Sequence, residues 1–322
     1  MRFGEETRRM VTETMIHSPA PALILFSHGS LVCGAARALE AHADFLRRSG
    51  DWSQVRIGWM NYDAPTFAEA VQITLENASI DTIVVVPYFL VPGRFVTHDL
   101  RNALAAAREA HPGVTFLEAA PLGTGADWLA PIAQLAAMAS PLTAESRAAT
   151  IAQVIAGCEG KPRCPLREDG LCSGEPRSPS TPVPSPRISP ANAVPDDDRP
   201  SLLVLAHGSP REAANAAVHE LAVLLRDSRQ YAGVHTGFLD CAQPDIPTAA
   251  HAAAASDARS VVALPFFLHT GRHVILDVPD LLMGAATHHP NVEFHLAPFL
   301  GSSPALGEML AVRALTALSQ PK

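Results

Sequence analysis

The sequence predicts two similar α/β domains, each built on a parallel sheet, facing each other across a cleft. Three observations predict this. Residues 23–30 read LILFSHGS and residues 202–209 read LLVLAHGS, so the chain states one motif twice. The spacing between equivalent positions is 179 at His28/His207 and Pro65/Pro244, 178 at Pro87/Pro265 and 177 at Pro121/Pro298. An offset that drifts by single residues marks a duplication with small loop deletions, and two copies at so long a period make globular halves rather than a solenoid. Finally, short strands rich in Val, Ile and Leu alternate with helical patterns, the mark of βαβ units.

The elements follow in order. Residues 1–20 mix charges of both signs without an apolar run and read as a loose leader, not a secretory signal. In the first domain, 21–150, strands are expected at Ala22–Phe26, Val55–Met60, Thr82–Pro87 and Val114–Glu118. Helices are expected through Ala35–Arg48, Phe67–Asn77, Leu100–Ala110 and from Trp128 onward. Residues 151–200 form a Cys-containing segment and a linker; eight prolines, several serines and Asp196–Asp198 between Glu175 and Pro200 cannot bury enough apolar surface to order. The second domain, 201–322, repeats the scheme with strands at Leu202–Ala206, Val234–Leu239, Ser260–Pro265 and Val292–Ala297. Its helices are expected through Glu212–Arg226, Ile246–Ala255, Val278–Thr287 and Ala305–Leu318.

Composition narrows the partners. A hydrophobic share of 48% with 17% charged residues is that of a globular protein. A net charge of −8 argues against nucleic acid or an anionic membrane surface, and no apolar run approaches a bilayer-spanning length. Five cysteines, an odd number, fit a reducing cytoplasm better than a disulfide framework.

Chemistry is expected at the carboxyl ends of the strands, where open α/β sheets bind ligands. His28-Gly29-Ser30 and His207-Gly208-Ser209 each follow strand one, where glycine permits a sharp turn and leaves an imidazole at the rim. The loop after strand three carries Gly271-Arg272-His273 in the second half but Gly93-Arg94-Phe95 in the first. Two imidazoles, His207 and His273, are then expected to converge on one divalent ion and leave positions open for a substrate, the alternative being ordinary loop histidines satisfied by backbone contacts. His28 is a further candidate metal ligand, but with Phe95 in place of the second histidine it lacks a partner; His98, three residues past Phe95, either replaces that ligand or is simply solvated at a helix start. His269, whose counterpart is Val91, either lines the cleft or is merely exposed. A phosphatase of the Arg-His type is excluded because Ser27 and Ala206 precede the histidines. No nucleophile elbow, dinucleotide fingerprint or phosphate-binding loop is present to support a serine hydrolase or a nucleotide enzyme.

The series strand-HGS, Phe238-Leu239-Asp240, then Pro265-Phe-Phe-Leu-x-x-Gly-x-His273 resembles the class II chelatases of the sirohydrochlorin chelatase (CbiX/SirB-type) family, over about 21–140 and 200–318. The resemblance implies two flavodoxin-like lobes enclosing a tetrapyrrole, in a monomer or homodimer. It also implies insertion of Co²⁺, Fe²⁺ or Ni²⁺ as substrate metal through His207 and His273, in cobalamin or sirohaem synthesis. Insertion removes two pyrrole protons, and Asp240 is the candidate base beside the histidines, its counterpart Asn61 being unable to take a proton. Asp240 is equally placed to act as a turn carboxylate. A tetrapyrrole rich in carboxylates would be met by Arg94, Arg211 and Arg272, and by Ser30 and Ser209 at helix starts. A non-catalytic metal or tetrapyrrole carrier is the alternative; it has no need of a second ligand at position 273. Cys158, Cys164 and Cys172 form a separate group suited to an iron–sulfur cluster or a metal, or to no ligand at all.

Overall fold

The computed structural model describes residues 20–76, 80–91, 93–175, 199–256 and 258–320. The leader at 1–19 and the linker at 176–198 lie outside the described residues.

The first compact unit holds the described residues up to Ser30, then Arg37–Gly123, and the C-terminal stretch from Pro304. Its strands are β1 (Ala22–Ser27), β2 (Gln54–Trp59), β3 (Thr82–Pro87) and β4 (Thr115–Glu118), and its helices α1 (Arg37–Ser49), α2 (Phe67–Leu75) and α3 (Arg101–Ala110). The sheet runs β2-β1-β3-β4 with every pair parallel. All six residues of β1 are buried, as a central strand covered on both faces requires. In α1 the apolar stripe Leu39, Ala43, Leu46 faces inward at helical spacing. Thr66 and Glu69 start α2 with a capping box, each satisfying a backbone amide of the other.

The second unit comprises Leu31–Ala36 and Thr124–Ser303. It contains α4 (Leu129–Ala137), β5 (Ser140–Pro141), α5 (Ala144–Ala156), α6 (Pro165–Glu168), β6 (Ser201–Ala206), α7 (Glu212–Asp227) and β7 (Gly233–Phe238). The chain continues through α8 (Ile246–Ala254), β8 (Ser260–Pro265), α9 (Val278–Ala286) and β9 (Glu293–Leu296). The order is β5-β9-β8-β6-β7. Four strands are parallel, and β5 adds a short antiparallel edge through Ser140↔Leu296 and Pro141↔His295. That edge strand was not expected, because a two-residue strand carries no periodicity.

The compact units differ from the sequence-contiguous domains 21–150 and 201–322 in what closes each sheet. The C-terminal helix α10 (Ala305–Ser319) packs on β3, β4 and α1 of the first unit. Gly307 admits the Phe45 ring there, since a Cβ would sit 2.6 Å from Phe45 Cδ1, and Arg313 Nη2 donates to the Leu122 carbonyl at 2.8 Å. Conversely α4 packs on β8 in the second unit, with Trp128 fully buried and its ring edge-on to Phe266 at 6.1 Å. Periodicity shows which face of a helix is apolar; it does not show which sheet that face covers.

In both sheets the chain leaves strand one for a neighbour on one side and reaches strand three on the other. The carboxyl ends of β1 and β3, and of β6 and β8, are therefore the switch points at which such sheets bind ligands.

Candidate functional site

The turn after β6 fixes His207. Gly208 has φ 87°, and a Cβ on it would lie 1.8 Å from the Asp240 carbonyl oxygen, so the crossing admits glycine alone. Asp240 N closes the same crossing by donating to the His207 carbonyl at 2.8 Å. His207 is exposed at this rim. Its Nδ1 stands 3.2 Å from the Gly208 carbonyl, which only accepts, so Nδ1 carries the proton and Nε2 keeps its lone pair.

His273 comes from strand three. The chain after β8 does not stay a loop until Val278, as expected, but enters a π-helical turn at His273–Asp277 that runs into α9. One turn on, Asp277 Oδ2 lies 2.7 Å from His273 Nδ1. A carboxylate on Nδ1 sets the same tautomer as in His207 and holds the ring. The two rings meet nearly edge to face, centroids 5.0 Å apart and planes at 77°. Imidazole nitrogen bonds a late divalent ion at about 2.0–2.1 Å and lies roughly 1 Å from its ring centre, so two ligands of one ion have centroids up to about 6 Å apart. The observed 5.0 Å lies within that range. Asp277 was missed in the sequence, where only its spacing of four from His273 on a helix pointed to it.

The first unit holds the matching constellation with Phe95 in the position of His273. Gly29 makes the same crossing, where a Cβ would lie 1.8 Å from the Asn61 carbonyl oxygen. The Phe95 and His28 rings stand 5.0 Å apart, as the two histidines do in the second unit. His28 Nδ1 donates to the Gly29 carbonyl at 2.5 Å, and its Nε2 accepts from the Asn61 amide at 3.3 Å. Its one open nitrogen thus faces a hydrogen-bond donor rather than a second ligand. Asp99, the counterpart of Asp277, meets His98 Nδ1 at 3.1 Å and Arg94 Nε at 4.0 Å. His98 is exposed and tied to that carboxylate.

The remaining candidates fall into place unevenly. Asp240 is exposed, and its Oδ1 accepts from the Cys241 amide at 2.7 Å, the turn role. Ser209 Oγ accepts from the Arg211 amide at 3.1 Å, and Ser30 N donates to Asp63 Oδ2 at 2.9 Å. Arg211 and Arg94 are exposed. Arg272 is engaged by Asp169 and by Asp277, the latter at 3.5 Å. His269 Nδ1 lies 3.3 Å from the Ala35 carbonyl. Cys33, expected to lie apart from Cys158, Cys164 and Cys172, instead joins them, its Sγ 4.0 Å from that of Cys158. The sequence hid this because residues 31–36 leave the first unit for the second.

The CbiX family's sequence model matches residues 22–137 and again 201–317. The chain belongs to the CbiX family. Among relatives of this CbiX protein, a sirohydrochlorin ferrochelatase of Priestia megaterium is 22% identical, the match covering 92% of this chain and 91% of that one. A sirohydrochlorin cobaltochelatase of the same organism is 22% identical over 82% of this chain and 70% of its own length. The chloroplastic sirohydrochlorin ferrochelatase of Arabidopsis thaliana is 28% identical over 40% of this chain and 56% of its own length. In fold, the CbiX chain is similar to SirB from Bacillus subtilis with Fe³⁺, with a TM-score of 0.65 at 16% identity, covering 93% of this chain and 96% of that one. The SirB complex with cobalt from Bacillus subtilis subspecies spizizenii gives 0.60 at 14% identity, covering 94% and 97%. The fold class is thereby that of two chelatase-like α/β domains on parallel sheets. Among the described residues no helix is long and apolar enough to cross a membrane.

Proposed function

We propose that this chain is a sirohydrochlorin chelatase that inserts Co²⁺ or Fe²⁺ into sirohydrochlorin or a close relative, serving cobalamin or sirohaem synthesis. The observation that carries the reading is the facing pair His207 and His273, each with Nδ1 engaged and Nε2 open. Two neutral imidazoles hold a divalent ion with most of its shell exchangeable, which is what transfer demands: tight enough to desolvate, loose enough to release. A carrier has no need for Asp277 to orient a second ligand.

Insertion exchanges two pyrrole N–H protons for two metal–nitrogen bonds. As the ion leaves, His207 Nε2 and His273 Nε2 become free to take those protons, and Asp277 stabilises the resulting imidazolium on His273. Asp240 stands beside His207 through the backbone bond between them and can pass a proton to solvent. Arg211, exposed before α7, and the Ser209 turn are the second unit's contacts for a substrate carboxylate. Arg272 must first leave Asp169 to serve this way.

The test is a spectrophotometric insertion assay of the purified protein with sirohydrochlorin and Co²⁺, Fe²⁺ or Ni²⁺ in turn. Conversion above the uncatalysed rate with one of these metals, lost in His207→Ala, supports the reading. Tight tetrapyrrole binding with no acceleration for any metal makes the protein a carrier.

A further inference from the structure

We propose that Cys33, Cys158, Cys164 and Cys172 form a tetrathiolate site for one tetrahedral divalent ion of the Zn²⁺ class, separate from the histidine pair. The four thiols come from the loop after β1 and from the segment after α5, all within the second unit. Cys158 Sγ lies 3.6 Å from Cys172 Sγ and 4.0 Å from Cys33 Sγ, and Cys164 is buried in the same cluster as Cys33 and Cys158. None of these cysteines is in a disulfide. A tetrahedral ion with metal–sulfur bonds of about 2.3 Å sets its sulfurs about 3.8 Å apart, between the two separations observed.

Backbone amides meet two of these sulfurs. Gly160 N points at Cys158 Sγ and Gly174 N at Cys172 Sγ, both at 3.4 Å, in two copies of one Cys-x-Gly turn. Both glycines are left-handed, with φ 73° and 78°, which turns the amide back onto the sulfur two residues earlier. Amides aimed at sulfur favour the charged form, as in a metal-bound thiolate. Arg167 lies against Gly174, and Lys161 pairs with Glu159 at 3.6 Å beside Cys158.

Among the described residues no group of three or more His, Cys, Asp or Glu side chains is already arranged to hold an ion. Closing the four thiols on one ion therefore requires their side chains to turn toward a common point. Binding releases four thiol protons to solvent as four metal–sulfur bonds form. The ion would act on the chelatase centre as a brace. Ile275 and Leu276, just beyond His273, are buried in one cluster with Cys33, Cys158 and Cys164, and Asp169 on the same segment holds Arg272.

The experiment uses the full chain with His207→Ala and His273→Ala, so that the histidine pair holds no metal. Expressed with zinc and purified without chelator, it should retain one equivalent by elemental analysis. Replacement by Co²⁺ should give the thiolate charge-transfer and visible bands of tetrahedral cobalt, and Cys33→Ser should weaken both. Independently of any folding defect in that variant, alkylation of the otherwise native protein should label Cys241 first, the other four thiols reacting only after chelation. Overturning results are no retained equivalent, cobalt bands lacking thiolate character, or several irons with acid-labile sulfide, which would mean a cluster. Loss of chelatase activity alone decides nothing here, so failure of the proposed function and failure of this site are read separately.

Discussion

His273 and Asp277 share a short hydrogen bond, Nδ1 to Oδ2 at 2.7 Å, across one π-helical turn. The carboxylate decides which nitrogen of His273 is open and in which direction it faces. Asp277→Ala should therefore lower metal affinity or insertion rate by about 10–100-fold. Asp277→Asn, which keeps an acceptor for the Nδ1 proton, should recover part of that loss. Titration calorimetry with Co²⁺ on the three proteins checks it; equal affinities would show that the bond is incidental.

The two histidines should be less forgiving than the carboxylate behind one of them. His207→Ala and His273→Ala should each cost on the order of 100-fold or more in insertion, beyond the effect of the orienting carboxylate. His28→Ala should cost much less, because its Nε2 already accepts from Asn61. Folding should change little, since His207 is exposed at a strand end. If the His28 variant is the inactive one, the working centre lies in the first unit.

Much of this arrangement was legible in the sequence, for a physical reason. Residues that bracket a sheet's switch point are fixed in order by the strands, so HGS after strand one and Gly-Arg-His after strand three had to share an edge. Phe95 stands where the second half has His273, and the equal ring separations show the two positions to be structurally equivalent. What stayed hidden depended on long-range packing. Nothing local reveals that Cys33 joins thiols about 125 residues on, or that α10 covers the first sheet.

That exchange of helices predicts an unusual map of damage. Trp128→Ala removes a fully buried ring packed on Phe266 and should cost about 3–5 kcal/mol. Although Trp128 precedes the linker, hydrogen exchange should quicken in β6 and β8 rather than in β1 and β3. Deleting residues 304–322 should do the reverse and expose β3, against which α10 packs. Damage confined to the contiguous half that carries each change would contradict the exchange.

His235 gives the second unit an acid limit. Burial first, and then the charge of Arg226, hold its pKa below the ordinary imidazole value of 6.5. Between that value and the lower folded one, the unfolded chain binds a proton that the folded chain does not. The stabilisation is complete above about 6.5 and is lost as pH falls through the folded pKa. Melting temperature should therefore drop from pH 7 to about pH 5.5 more steeply in the parent than in His235→Gln, which cannot be protonated. Parallel curves would place the acid sensitivity elsewhere.

The first unit offers the strictest check on the centre, because it matches the second apart from Phe95 for His273 and Asn61 for Asp240. Phe95 stands 5.0 Å from His28, and Asp99 follows it by four residues, as Asp277 follows His273. Arg94 accompanies Asp99 as Arg272 accompanies Asp277, so a histidine at position 95 would meet a carboxylate already held nearby. Against it stands the Asn61 amide, which donates to His28 Nε2 and must turn away before a metal can bind. In a background lacking His207 and His273, Phe95→His should thus create weak Co²⁺ or Ni²⁺ binding. Adding Asn61→Asp, which replaces the competing donor by an anion, should strengthen it by at least about tenfold, or roughly 1.4 kcal/mol. Calorimetry with the metal alone measures both steps without requiring the second unit to turn over. If the double variant binds no more metal than the background, a facing pair with an orienting carboxylate is not sufficient, and the second unit's centre depends on something beyond His207, His273 and Asp277.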